Sequence, residues 1–169
     1  MVELRSDDKV RKGEYEDAEI LRLSELKKTS IKLPGLRSLK NLSDKLKLIT
    51  PLIAWYEPGG HSGSHYHVKS EGIYFIHYIG QGVNKTRIII GWPPEKAKIT
   101  EVDEPTVVVI PPGVKHRFEN IGTTVMMLVE CYGPNWNTIG FDLVDSQKYP
   151  GRVFNNVEEY VAAYRSTEK

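Results

Sequence analysis

A single cysteine, Cys131, in 169 residues excludes an internal disulfide and any metal site built on several thiolates. Charge of one sign is also missing. The 23 Lys and Arg stand against 22 Asp and Glu, a net +1, which gives no electrostatic footing for nucleic acid or an anionic membrane surface. No apolar run approaches the roughly 20 residues that span a bilayer, and the opening Met1-Val2-Glu3-Leu4-Arg5-Ser6-Asp7-Asp8 lacks the apolar stretch of a signal peptide. There is no internal repeat and no low-complexity segment. These absences leave the expectation of a cytoplasmic protein without nucleic-acid or membrane partners. Its 40% hydrophobic and 27% charged residues are ordinary for a globular chain that can bury a substantial core.

What the chain does have is histidine in one place. All five fall between His61 and His116. His65-Tyr66-His67-Val68-Lys69-Ser70-Glu71 reads H-x-H-x-x-x-E, and Pro111-Pro112-Gly113-Val114-Lys115-His116 supplies a further imidazole after a tight turn. Side chains alternate along a strand, so His65 and His67 project to one face while Tyr66 points away. A turn at Val68-Lys69-Ser70 lets Glu71 come to the same place, and His116 must arrive from a distant strand. Three imidazoles and a carboxylate suit one divalent transition metal, Fe, Mn, Ni or Zn, and leave about two positions of an octahedron open. The expected ligands are His65, His67, Glu71 and His116.

At these residues the chain resembles the cupin family. Gly59, His65, His67 and Glu71 match the first cupin motif, and Pro111, Gly113, His116 and Asn120 match the second. The resemblance covers roughly residues 50 to 132 and implies the same four ligands. The sequence departs from the motifs at two places outside the ligand set: the closing Gly of the first is Gly80, two residues late, and the opening Gly of the second is replaced by Pro105. A shorter similarity, Pro111-Pro112, His116-Arg117 and Asn120-Ile121-Gly122, links the chain to the cupin-type phosphoglucose isomerases.

The expected fold is all-β: a cupin double-stranded β-helix, or jelly-roll barrel, over 46–145. An N-terminal extension occupies 1–45 and a C-terminal segment 146–169. Strand-like runs occur at Leu46–Tyr56, Ile73–Ile79, Thr86–Gly91, Thr106–Ile110, His116–Glu119 and Thr124–Tyr132, separated by Gly and Pro turns. The first fifty residues carry 12 Lys or Arg and 9 Asp or Glu. Within them Glu19–Leu23 reads as a strand, and Leu36–Leu42 has apolar residues at helical spacing. A helix over 156–165 is expected from its caps and its stripe of Val157, Tyr160, Val161 and Tyr164. The edge strand, and the habit of the family, predict a homodimer or larger oligomer.

Beyond the ligands, counting by twos from Glu71 puts His77 inside the barrel, where it is a candidate acid or base or a core histidine. In the last long strand Val125, Met127, Val129 and Cys131 form an apolar face with the stronger claim on the core. That leaves Glu130 and Tyr132 for the cup, Glu130 as a catalytic candidate and Tyr132 as a substrate contact. Arg87, unusual within a strand, would clamp an anionic substrate if it faced the cup. These features predict a metal-dependent enzyme on a small polar metabolite. A dioxygenase is placed ahead of a non-redox sugar or hydroxycarbonyl isomerase or epimerase, and a non-catalytic ligand-binding barrel stays open as a third reading.

Overall fold

The computed structural model describes residues 36–41, 48–91, 94–139 and 142–145, together with Arg152, Phe154, Glu159 and Ala163. Among these residues ten strands form two five-stranded sheets. One has the order β1 (Leu36–Asn41), β2 (Thr50–Tyr56), β9 (Val125–Gly133), β4 (Glu71–Ile79), β7 (Thr106–Ile110). The other runs β10 (Leu143–Asp145), β3 (His65–His67), β8 (His116–Asn120), β5 (Thr86–Ile90), β6 (Lys98–Val102). Every pairing is antiparallel. The barrel interior lies between the sheets, and its core is Leu52, Ala54, Tyr56, Tyr74, Ile76, Ile88, Ile110, Phe118, Met126, Leu128 and Tyr132.

Alternation decides which residues reach that interior. In β8, His116, Phe118 and Asn120 are buried while Arg117 and Glu119 are half-buried on the other face. In β9 the buried set is Met126, Leu128, Glu130 and Tyr132. The apolar face Val125, Met127, Val129, Cys131 therefore points outward, half-buried, opposite to the expectation that it fills the core. The long inward residues Met126 and Leu128 supply the core volume, and Glu130 and Tyr132 continue the same row toward the histidines.

Three strands escaped the sequence reading. β6 (Lys-Ile-Thr-Glu-Val) is almost wholly exposed, so it has no apolar face to announce it. β10 is only three residues long, held by pairing with β3. Leu36–Asn41, expected as a helix from its spacing, is strand β1: Leu39, Lys40 and Asn41 pair with Ala54, Ile53 and Leu52. The ladder along the edge of β2 supplies backbone partners that a short, uncapped helix would have to find within itself. The expected strand at Glu19–Leu23 lies outside the described residues, as does most of the expected helix over 156–165.

Two turns set the site. Gly113 takes φ +76°, a left-handed conformation open to glycine without steric cost. Its N–H donates to the His67 carbonyl at 2.7 Å, so the Pro-Pro-Gly turn delivers β8 against β3. Asn120 closes the other end. Its amide nitrogen donates to the carbonyls of Tyr56 and Thr124, and its side-chain oxygen accepts from the Gly122 N–H.

Candidate metal centre

His65 pairs directly with His116 across β3 and β8, and His67 follows on the same inward face. All three are buried. One ring nitrogen from each lies within 4.8 Å of the other two. Each ring is held through Nδ1: His65 against the Gly63 carbonyl at 3.1 Å, His116 against the Val114 carbonyl at 2.9 Å, His67 against a carboxylate oxygen of Asp142 at 3.2 Å. A proton on Nδ1 leaves Nε2 as the lone-pair nitrogen in every case. The buried His67 Nε2 has no hydrogen-bond partner. Burial, and then the neighbouring His65 and His67, press the His116 pKa well below its ordinary value, so that ring is neutral, the form that ligates. Oriented neutral imidazoles with convergent lone pairs are what a divalent transition metal requires.

Asp142 is a functional residue that the sequence reading missed. Besides His67 it accepts the backbone N–H groups of Lys69 at 2.9 Å and Ser70 at 2.7 Å. Burial alone would raise its carboxyl, but the bonds from His67 and the two amides outweigh this and hold it far below the usual range. One carboxylate thus fixes a histidine tautomer and the turn between β3 and β4. Its partners are more than 70 residues away in sequence, so no local motif exposes it. Trp136 was missed for the same reason. Its ring stacks on Tyr132 at 4.8 Å between centroids and on His67 at 5.7 Å, and its indole N–H donates to Ser70.

The remaining sequence candidates divide. Glu71 is exposed, on the outer face of β4, and does not join the three histidines. Gly72, Tyr74 and Ile76 are the buried residues of that strand. Counting by twos from Glu71 does reach His77, as expected, but along the outer face, and His77 is exposed as well. The turn after His67 brings β4 in with its even-numbered residues inward. Arg87 also faces outward, its guanidinium bonded to Glu101 at 3.0 Å and Glu119 at 3.4 Å. Among the residues whose burial is described no Lys or Arg is buried, and none of these clamps an anion inside the cup.

Glu130 and Tyr132 do lie inside. Desolvation pushes the Glu130 carboxyl up to about 7, although the hydrogen bond from Tyr132 pulls it down. The Tyr132 hydroxyl donates to Glu130 and is also bonded with Tyr74, and the Tyr74 hydroxyl reaches Nε2 of His116 at 2.8 Å. Burial, and then the charge of Glu130, raise both phenols well above their ordinary pKa. The chain Glu130–Tyr132–Tyr74–His116 has two proton arrangements. With Glu130 protonated, each group can donate toward His116. With Glu130 ionised, both phenols turn toward the carboxylate and the Nε2 lone pair is released.

Two facing antiparallel sheets, with histidines on β3 and β8 converging on the interior, define the class: this is the cupin fold. Solved structures agree. KdgF from Halomonas sp. superposes with a TM-score of 0.57 at 10% identity, covering 72% of this chain and 98% of that one. A predicted oxalate decarboxylase from Thermotoga maritima gives 0.53 at 19% identity, covering 69% and 99%. A recombinant oxalate oxidase in complex with glycolate gives 0.52 at 19% identity, covering 70% of this chain and 59% of that one, so the chain spans about three fifths of its length. No family model and no curated protein matches the sequence. Among the described residues no helix is long and apolar enough to cross a membrane.

Proposed function

We propose that the protein is a metal-dependent enzyme acting on a small polar metabolite, with the ion held by His65, His67 and His116 and a proton handled by Glu130 through Tyr132. The observation that carries this reading is the buried Glu130, raised to about 7 and hydrogen-bonded in series through Tyr132 and Tyr74 to His116. A carboxyl with that proton affinity both holds and releases a proton near neutrality, the property of a general acid or base. A bound ion supplies Lewis acidity at substrate oxygens. Glu130 takes or returns the proton at its Oε2, with the Tyr132 hydroxyl as the group that meets substrate, and the Trp136 and Tyr132 rings wall the cup against water.

Non-redox proton transfer on a hydroxycarbonyl or hydroxy-acid compound fits this arrangement best. Oxygenase chemistry, placed first from sequence, is the second reading, favoured by the three-imidazole set and its open positions. The oxalate- and glycolate-related structural neighbours support a substrate of a few carbons that presents two oxygens.

The test is metal analysis of the purified protein, followed by proton exchange from deuterated water into a panel of small hydroxycarbonyl and hydroxy-acid compounds, with oxygen uptake measured in parallel. Exchange without oxygen uptake supports the proposal. Oxygen uptake supports the second reading, and bound metal with neither activity leaves a ligand-binding barrel. Absence of metal binding overturns the metal centre itself.

A further inference from the structure

Tyr74 is the link of the hydrogen-bonded chain that touches the histidine cluster. Its hydroxyl is 2.8 Å from Nε2 of His116. That nitrogen is the one His116 offers an ion, because Nδ1 is committed to the Val114 carbonyl. A single lone pair serves the ion or the phenol, not both. Two donors bound at about 2.1 Å and at a right angle stand about 3 Å apart, so the phenol oxygen already has the spacing of a neighbouring donor.

The backbone of β4 points the same way. Glu71 faces outward, and the next inward position is Gly72. The phenol of Tyr74 folds back over that glycine: a Cβ on Gly72 would meet Tyr74 Cε2 at 2.7 Å and its hydroxyl at 3.0 Å. An inward carboxylate at the start of β4 is therefore replaced by a phenol oxygen reaching back from two residues later. The glycine is what makes room for it.

We infer that Tyr74 gives its hydroxyl oxygen to the same ion as His65, His67 and His116, as a fourth protein donor of phenolate type. This rests on the metal centre proposed above. On ligation the Tyr74 O–H bond is exchanged for a metal–oxygen bond. The released proton passes to the Tyr132 oxygen as Tyr132 gives its own to the Glu130 carboxylate. One negative charge thereby moves from a desolvated carboxylate to direct contact with the cation, and the ligand set becomes anionic, which favours higher-valent ions.

Ferric iron and, separately, cupric copper are added to the metal-free protein, and bound metal is counted after desalting. The expected result is a visible phenolate-to-metal charge-transfer band with tyrosinate vibrations in resonance Raman. Tyr74→Phe should keep its fold by circular dichroism, bind metal at least about tenfold more weakly and lose the band. Tyr132→Phe should keep the band, and Gly72→Ala, which displaces the phenol, should weaken it. Stoichiometric metal without the band, or a band that survives in Tyr74→Phe, overturns the inference while leaving the metal centre intact. Failure of both ions to bind overturns the metal centre and the inference together.

Discussion

Glu130→Gln separates the proton-handling role of this residue from a merely structural one, because the two roles differ in pH dependence. In the unfolded chain the carboxyl ionises near 4.5, whereas in the native metal-free protein burial keeps it protonated to about 7. Below about pH 4.5 it is neutral in both states and contributes nothing. As the pH rises toward 7 the unfolded chain gives up its proton and the native protein does not, so stability falls; above about 7 the deficit is constant. At about 1.4 kcal/mol per tenfold in proton affinity the deficit is roughly 3 kcal/mol. Gln has the same size and cannot ionise. The metal-free variant should be more stable than the parent at about pH 8 by roughly 3 kcal/mol, since the native value of about 7 already includes the Tyr132 bond. The two should be nearly equal at about pH 4.5. His116, pressed to its neutral form, destabilises both proteins below its ordinary pKa and cancels in the difference, while Tyr74 and Tyr132, whose phenol pKa values burial raises further, stay protonated in both proteins across this range. The assay is urea unfolding of chelator-treated parent and variant across this pH range, with the midpoint compared at constant slope. A difference independent of pH, or a variant less stable at alkaline pH, would refute the reasoning. With a substrate in hand, the same variant should retain metal and lose roughly 100- to 10,000-fold in turnover.

His65→Ala and His116→Ala should each sharply lower the metal content of purified protein, whereas His61→Ala, whose backbone bridges to Glu119, should not; elemental analysis decides. Asp142→Asn removes the charge that orients His67 and should weaken metal affinity roughly 10- to 100-fold by competition with a chelator, with turnover falling in step. Sedimentation at micromolar concentration should give a dimer or larger species. The double change Val107→Glu and Val109→Glu should shift it to monomer, since those residues, 57% and 64% exposed, lie on the edge strand β7 opposite the exposed Phe75 and Ile73. A monomeric parent rejects this reading.

The barrel was legible because its strands either alternate or end at glycine and proline, and the two histidines of β3 share a face by strand geometry alone. The second motif was legible because Gly113 must turn where it does. Glu71 was misplaced because motif spacing carries no parity. Whether residue 71 or residue 72 faces inward is decided by the turn over Val68, Lys69 and Ser70, and that turn is held by Asp142, whose part in it no local pattern announces. Tyr74 was passed over for the same reason, since a tyrosine in a strand reads as core until its hydroxyl is seen against His116. Glu130 was found on the inward face through a mistaken premise. The apolar row of β9 does not fill the core, and the polar end of the other row reaches the cup because it continues Met126 and Leu128.

The outward direction of Arg87 and Arg117 has a kinetic consequence. With no Lys or Arg buried among the residues whose burial is described, those residues give the metal-free cup a partly ionised carboxylate and no counter-charge. An anionic oxygen about 5 Å from an ionised Glu130 is opposed by about 3 kcal/mol at an effective dielectric of about 20. By the function proposed above, the metal-free protein would therefore bind anions more weakly than the loaded one. On the proposed metal centre the cation would enter first and reverse the sign of the cavity, so that metal supply would gate substrate affinity as well as turnover.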